Sequence, residues 1–290
     1  MNNYYILSPV YNDWKSLKKL LLKIDSNLKK LSGSVEFIAI NDGSTTEPNF
    51  KIKYLKNIKK IKIINLKKNL GSQKAISVGL NYLKNKKNSI ISIIDSDGED
   101  DPNQILKMLE TAKKNSKYVI VSNRTKRKEI IIFKILYKIH LLLTFILTWK
   151  WISFGNYTSF HSKNLKKIIN SDDTWFAYAA TISKRMQTKN LFAERKKRYF
   201  GISKVSFLKL FLHSFKILVV LKEKILVNSS IYLIFLYLVL SEFDNIYFPI
   251  FITLFLFNII ILLYKILSSS YVYKINQKLI KSTKLIYNKG

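Results

Sequence analysis

Residues Ile90 to Pro102 read IISIIDSDGEDDP, an apolar run that ends abruptly in five acids within seven residues: Asp95, Asp97, Glu99, Asp100 and Asp101. The run has the length and β-branched character of a strand buried on both faces. The acids follow at its carboxyl end, which is where ligands bind in open parallel sheets. The whole chain has 18 Asp and Glu against 50 Lys and Arg, so over a quarter of its negative charge is crowded where repulsion is strongest. Asp100 and Asp101 are explained as an N-cap ahead of Pro102 at the first helical position. Asp95 and Asp97 are not, because carboxylates this close raise one another's pKa unless a cation lies between them. Their spacing suits a hard divalent ion that also holds a substrate phosphate, with Glu99 as a third oxygen donor.

Outward from this stretch the pattern repeats. Tyr4 to Ser8, Val35 to Ile40, Ile61 to Asn65, Ser89 to Ile94 and Lys117 to Ser122 all read as short β-branched strands. Helical spacings lie between them, as in Trp14, Leu17, Leu21, Ile24, Leu28 and Leu31. The series predicts an α/β fold with a mostly parallel, Rossmann-like sheet and flanking helices. Its chemistry belongs in the loops after the strands: SPVYND (Ser8 to Asp13), NDGST (Asn41 to Thr45), KKNLGSQKA (Lys67 to Ala75) and DSDGEDDP.

Composition narrows the partners. A net charge of +32 points to a polyanion or an anionic membrane, yet only five of the 50 cations are Arg, and readers of nucleic acid lean on Arg and on aromatic platforms in basic grooves. Here the lysines are spread along helices and the expected crevice is acidic, so nucleic acid is not expected as a partner. A basic, membrane-anchored binding protein without catalysis is the reading from another class. The absence of cysteine excludes disulfides and thiolate metal sites. The opening MNNYYILSPV reads as a strand and has no basic n-region of a signal peptide.

Beyond Glu129 the chain changes character. Residues 130–150 are apolar but interrupted by Lys134, Lys138 and His140, which predicts an interfacial helix. Residues 205–224 form a second amphipathic, juxtamembrane helix, with Ser206, Lys209, His213 and Lys216 on one face. Within 225–264, Ile225 to Leu240 and Ile246 to Tyr264 carry no charge and would span about 24 and 28 Å as helices. A transmembrane hairpin is expected. Its connection holds Glu242 and Asp244, whereas 265–290 is rich in Lys, so the positive-inside rule puts the 1–204 domain and this basic tail in the cytoplasm of a two-span membrane protein.

Taken in order, the four loops resemble the family 2 glycosyltransferases of the GT-A fold, and among them dolichyl-phosphate mannose synthase and the bacterial polyprenyl-phosphate glycosyltransferases. SPVYND is similar to the family's P-x-Y-N-E, NDGST to its D-D-G-S, NLGSQKAISVGL to its N-x-G-x-x-x-A-x-x-x-G and DSDGEDDP to its D-x-D-x-Q-D-P-P, while Arg198 to Lys204 (RYFGISK) is similar to its R-x-x-G-x-S-K. The resemblance implies metal-dependent, inverting sugar transfer from a nucleotide-diphosphate sugar to a lipid-linked acceptor, foremost a polyprenyl phosphate; a hydroxyl on a lipid-linked glycan is the other acceptor. It implies donor binding by Pro9, Tyr11, Asn12, Asp42, Gly71, Gln73 and Asp95, with Mg²⁺ or Mn²⁺ on Asp97 and Glu99. Asp95, Asp97, Arg124 and Arg198 carry catalysis on this reading, and Arg127, Arg198, Ser203 and Lys204 receive the acceptor. Guanidinium forks suit phosphate oxygens. A homo-oligomer is compatible with it. The departures are Asn41 for the first acid of D-D-G-S, Asp13 for Glu, Glu99 for Gln, and Thr158 where an Arg for the acceptor phosphate is expected ahead of Phe160. A hydroxyl acceptor would need a base, for which Asp172 and Asp173 are the acids placed by chain order.

Overall fold

A computed structural model of the chain describes residues 3–48, 52, 54–124, 131–170, 172–201, 207–240, 244–273 and 276–289. The chain forms two units: Met1–Lys128 with Ser153–Lys204 and Ile275–Gly290, and Glu129–Ile152 with Val205–Lys274.

The strands of the first unit are β1 (Asn3–Val10), β2 (Ser34–Asn41), β3 (Ile58–Leu66), β4 (Ser89–Ile93), β5 (Val119–Arg124), β6 (Phe154–His161), β7 (Thr188–Ala193) and β8 (Ile280–Asn288). They make one sheet in the order β7-β5-β6-β4-β1-β2-β3-β8. Pairs β1–β2, β1–β4, β2–β3 and β5–β7 are parallel, while β6 and β8 run against their neighbours. The helices of the chain are α1 (Trp14–Asn27), α2 (Ser72–Tyr82), α3 (Ile105–Lys114), α4 (Ile131–Thr148), α5 (Leu165–Ile169), α6 (Asp173–Phe176), α7 (Tyr178–Arg185), α8 (Phe207–Val220), α9 (Lys222–Leu240) and α10 (Asp244–Tyr273).

Alternation along β1 divides the core. Tyr4, Ile6 and Val10 join the apolar stripes of α1 and α3 in one cluster. On the other face α2 lies so close that a Cβ at Gly79 would press on Ile40 and Leu7. Covering both faces is what the continuous apolar runs of β1, β2 and β4 demand. It leaves the carboxyl ends of β1, β2, β4 and β5 along one edge.

Within 265–290, expected as a basic cytoplasmic tail, the structure forms a strand. Ile280–Asn288 pairs antiparallel with β3, and Asn65 Nδ2 donates to Ser282 Oγ at 2.9 Å. The outer edge of β3 would otherwise be a row of open backbone groups.

In the second unit, α4, α8, α9 and α10 leave many large apolar side chains exposed, among them Ile135, Ile139, Leu142, Leu143 and Ile146 on α4. Polar side chains of α9 turn inward instead. Asn228 donates to Leu147 O, Tyr232 to Ile146 O, and Ser229 Oγ accepts from Asn258. Among the described residues one segment, Ile246–Ser268 of α10, is long and apolar enough to cross a membrane. The second span of the expected hairpin is not matched on that criterion, because α9 opens with Lys222, Glu223 and Lys224 and has only Ile225 to Leu240 free of charge. Glu242 of the connection lies outside the described residues.

Candidate functional site

The carboxyl-end loops converge on one crevice rim, and each is fixed by a different device. After β1 the chain turns at Asn12, a non-glycine residue at φ 50°. Asn12 Oδ1 accepts from the backbone N–H groups of Thr45 (2.9 Å) and Thr46 (3.2 Å), and Trp14 Nε1 donates to Thr46 O at 2.7 Å. Asn12 therefore shapes the NDGST loop. Asp42 is 3% exposed, and its two oxygens accept from the N–H groups of Leu70 and Gly71, both at 2.8 Å. Burial raises its pKa against those hydrogen bonds. Gly43 lies between: at φ 66°, a Cβ there would collide with the backbone of Lys68 and Asn69.

Asn41 donates to Asn65 Oδ1 at 2.8 Å and accepts from Ser44 N at 2.9 Å. Of the other residues expected at the donor, Pro9 is buried in β1, Tyr11 is 42% exposed just past its end, and Gly71 sits at φ 91° with open space around it. Gln73 is engaged at both ends of its amide. It accepts from Tyr178 N at 2.7 Å and donates to Asn156 Oδ1 at 3.1 Å. Asn156 Nδ2 in turn donates to both oxygens of Asp95, at 3.0 and 3.2 Å. Asn156 on β6 went unnoticed in the sequence, where it is one neutral residue in FGNYTSF.

The acidic loop is paired with cations of residues 195–198, two of them arginines. Arg195 clamps Glu99 Oε2 through Nε at 3.0 Å and through Nη2. Arg198 Nη2 lies 2.8 Å from Asp13 Oδ2, and its Nη1 lies 3.4 Å from Asp97 Oδ2. The backbone reinforces both, with Lys196 N donating to Glu99 O at 2.8 Å and Tyr199 N to Asp97 O at 2.9 Å. The ring of Tyr199 fills the place a Cβ on residue 98 would need, so only Gly98, at φ 83°, fits. Asp97 is held up to about 6, first by burial and then by Glu99 and Asp100, against its bond from Glu99 N and the charge of Arg198. Glu99, expected on a metal, is thus turned to Arg195. Arg195 was visible only as one of five arginines in a Lys-rich chain.

Arg124 ends β5 on the same rim, while Arg127, Ser203 and Lys204 lie outside the described residues. Thr158 does not face the rim: it is fully buried in β6, with its hydroxyl 2.6 Å from that of Tyr178. Asp173 is 4% exposed and paired with Arg185 (3.1 Å) and Lys184 (3.3 Å), which is poor placement for a general base.

Whether these residues fit a divalent cation is a matter of donor chemistry. Asp95 and Asp97 offer hard oxygens one residue apart, and burial leaves Asp97 short of compensating charge. No three His, Asp or Glu side chains among the described residues converge to hold an ion alone. The pair fits a cation whose shell is completed by ligand oxygens, such as those of a diphosphate.

Residues 5–185 match the family described as Glycosyl transferase family 2. An uncharacterized glycosyltransferase of Bacillus subtilis, YkcC, is 32% identical over 135 residues, 45% of this chain and 40% of that protein. Undecaprenyl-phosphate 4-deoxy-4-formamido-L-arabinose transferase of Proteus mirabilis is 27% identical over 131 residues, 44% and 39% of the two chains. The match thus spans about two fifths of either relative. Among solved structures, glucosyl-3-phosphoglycerate synthase of Mycobacterium tuberculosis in complex with phosphoglyceric acid superposes with a TM-score of 0.52 at 12% identity, covering 77% of this chain and 80% of the other. The same enzyme with Mn²⁺, UDP-glucose and phosphoglyceric acid gives 0.50. These likenesses establish the fold.

Proposed function

The chain belongs to glycosyl transferase family 2, and from that premise we propose that it transfers a sugar, with inversion, from a nucleotide-diphosphate donor to a polyprenyl phosphate at the cytoplasmic face of a membrane. The observation that carries the donor half is the pair Asp95 and Asp97 at the end of β4, opposite the finished NDGST loop. On this reading Asp95 and Asp97 hold Mg²⁺ or Mn²⁺ together with the donor's diphosphate. The cation supplies charge neutralisation where negative charge develops on the leaving group. Arg198 is placed to move from Asp13 and Asp97 onto phosphate oxygens, and Arg124 stands at the same rim. Asn156 and Gln73 fix the orientation of Asp95.

The Proteus mirabilis relative, by its name, acts with undecaprenyl phosphate, which supports a lipid phosphate acceptor here. A phosphate is already a nucleophile and requires no base, which accords with Asp173 being tied to Arg185 and Lys184. Connectivity supports two spans. The chain leaves the sheet unit at Lys204 and re-enters it at Ile275, and β8 then pairs with β3. Strands of one sheet share one side of a membrane, so the number of crossings between them is even. If α10 crosses, α9 crosses too, with its uncharged stretch of about 24 Å and the bilayer thinning to meet it.

Purified protein is screened by thermal shift against UDP, GDP and dTDP sugars with Mn²⁺, then assayed for transfer to undecaprenyl phosphate. A ligand at 100 times its dissociation constant adds about 2.7 kcal/mol of stability. Stabilisation by no nucleotide would sink the donor reading; stabilisation without transfer would sink the acceptor. The chain has no native cysteine, so a single cysteine placed between α9 and α10 reports topology, and labelling only from the cytoplasmic side would refute the two spans.

A further inference from the structure

A pocket of about 430 Å³ lies beside the acidic loop, between α1, the start of the 102–114 helical segment and residues 196–199. Lys and Arg make up 50 of the 290 residues of the chain, yet Lys19, Lys23, Lys196, Lys197 and Arg198 are among the nine that line it. Asp101 is the single acid of the lining, and it lies 3.6 Å from Lys196. Arg198 is paired with Asp13 and Asp97. Lys19, Lys23 and Lys197 form no ion pair among the described residues.

Two of these lysines are also held together. Lys19 and Lys23 stand one helical turn apart on α1, where like charges repel. Both ammonium groups nonetheless lie over the ring of Tyr199, at 4.9 and 5.2 Å, and Lys19 lies 5.4 Å from the Phe200 ring as well. The rings gather the cations at the pocket instead of letting them splay into water. Asn103 adds an amide that can donate to an oxyanion.

We propose that this pocket binds a phosphate group, as a site separate from the donor diphosphate at Asp95 and Asp97 and joined to it through Arg198. Its ligand is a tetrahedral phosphate, carried either by a membrane lipid or by a soluble molecule. Three uncompensated ammonium groups around one cavity favour a dianion over a carboxylate, and their exposure makes the affinity fall with salt.

The test compares the full-length wild type with two double variants of equal charge loss, Lys19→Ala/Lys23→Ala at the pocket and Lys29→Ala/Lys30→Ala just beyond α1. Alanine favours a helix, so the first variant keeps its fold. Probes are inorganic phosphate, by calorimetry, and undecaprenyl phosphate in phosphatidylcholine nanodiscs. The pocket variant is expected to bind one or both about tenfold more weakly, with the other variant unchanged. Loss confined to the nanodisc arm makes the ligand lipid-borne, and loss in both shows that a free phosphate suffices. Equal affinities for the two variants, or no binding by the wild type, would overturn the proposal. So would a matching loss of UDP binding with Mn²⁺ in the pocket variant, since that assigns the lysines to the donor. Failure of the wild type to bind UDP, by contrast, would strike the proposed reaction and leave this pocket standing.

Discussion

Two loops, at the carboxyl ends of β2 and β4, are stabilised in opposite ways. The NDGST loop is held by uncharged donors and by one buried carboxylate whose two oxygens each accept a backbone N–H. The Asp95 to Asp101 loop is held by Arg195 and Arg198, reached from about a hundred residues further along the chain. Hydrogen bonds to fixed backbone groups leave nothing to exchange. Ion pairs near solvent can be traded for a ligand's charges at small cost. One loop is finished before the ligand arrives; the other is provisional.

The sharpest way to break this contrast is Asp97→Asn. Turnover should fall at least about a hundredfold, the scale of losing one electrostatic group at a reacting centre, while the fold survives. The sign with pH is fixed. The folded protein holds the Asp97 proton up to about 6 against an ordinary value of 3.8, so between these values the native state binds the extra proton and stability falls as pH rises. At pH 7 the variant should therefore match or exceed the wild type, by up to about 3 kcal/mol, and the difference should vanish below pH 4. Urea titrations at both pH values decide this, and a variant that unfolds would make Asp97 part of the scaffold.

Asp42→Ala should do the reverse. It strips two charge-assisted hydrogen bonds from a buried loop and should cost about 2 to 4 kcal/mol, measured by urea unfolding. A loss below about 1 kcal/mol would mean that the loop is not prefabricated. Asn12→Ala comes next, at about 1 to 3 kcal/mol, because it removes the acceptor for Thr45 and Thr46 and places alanine at φ 50°. Asn12→Gly should recover the backbone share, and identical losses for the two would assign the whole effect to the hydrogen bonds. Smallest is Arg195→Gln, at about 0.2 to 1 kcal/mol, shrinking further at 1 M salt. A larger, salt-independent loss would show that the acidic loop is as permanent as its neighbour.

The strands β1 to β5 were legible because each pairs an apolar run with a polar loop, and the family motifs sat at their ends. β6, β7 and β8 were not. β8 reads IKSTKLIYN, a mostly exposed edge strand with two Lys and no long apolar run, which leaves it indistinguishable from a solvated tail. At the site, the acids announced themselves by crowding, but their partners did not: an Arg–carboxylate pair between residues 99 and 195 leaves no local pattern. The pairing of Glu99 with Arg195 therefore has no trace in the sequence, and Asn156 has none because a neutral amide in a strand carries no signature.

The last strand to join the sheet has a consequence for how the protein is made. Asn65 on β3 bonds to Ser282 on β8 across 217 residues of chain, so on the ribosome the edge of β3 emerges long before its partner exists. Through that interval the nascent sheet carries an unpaired margin, the feature most prone to capture by another chain. The margin closes only after the helices from Phe207 to Tyr273 have been synthesised, because β8 follows them in the chain. Until β8 has been synthesised, the β3 edge is therefore exposed to other chains, and the completed strand removes that exposure.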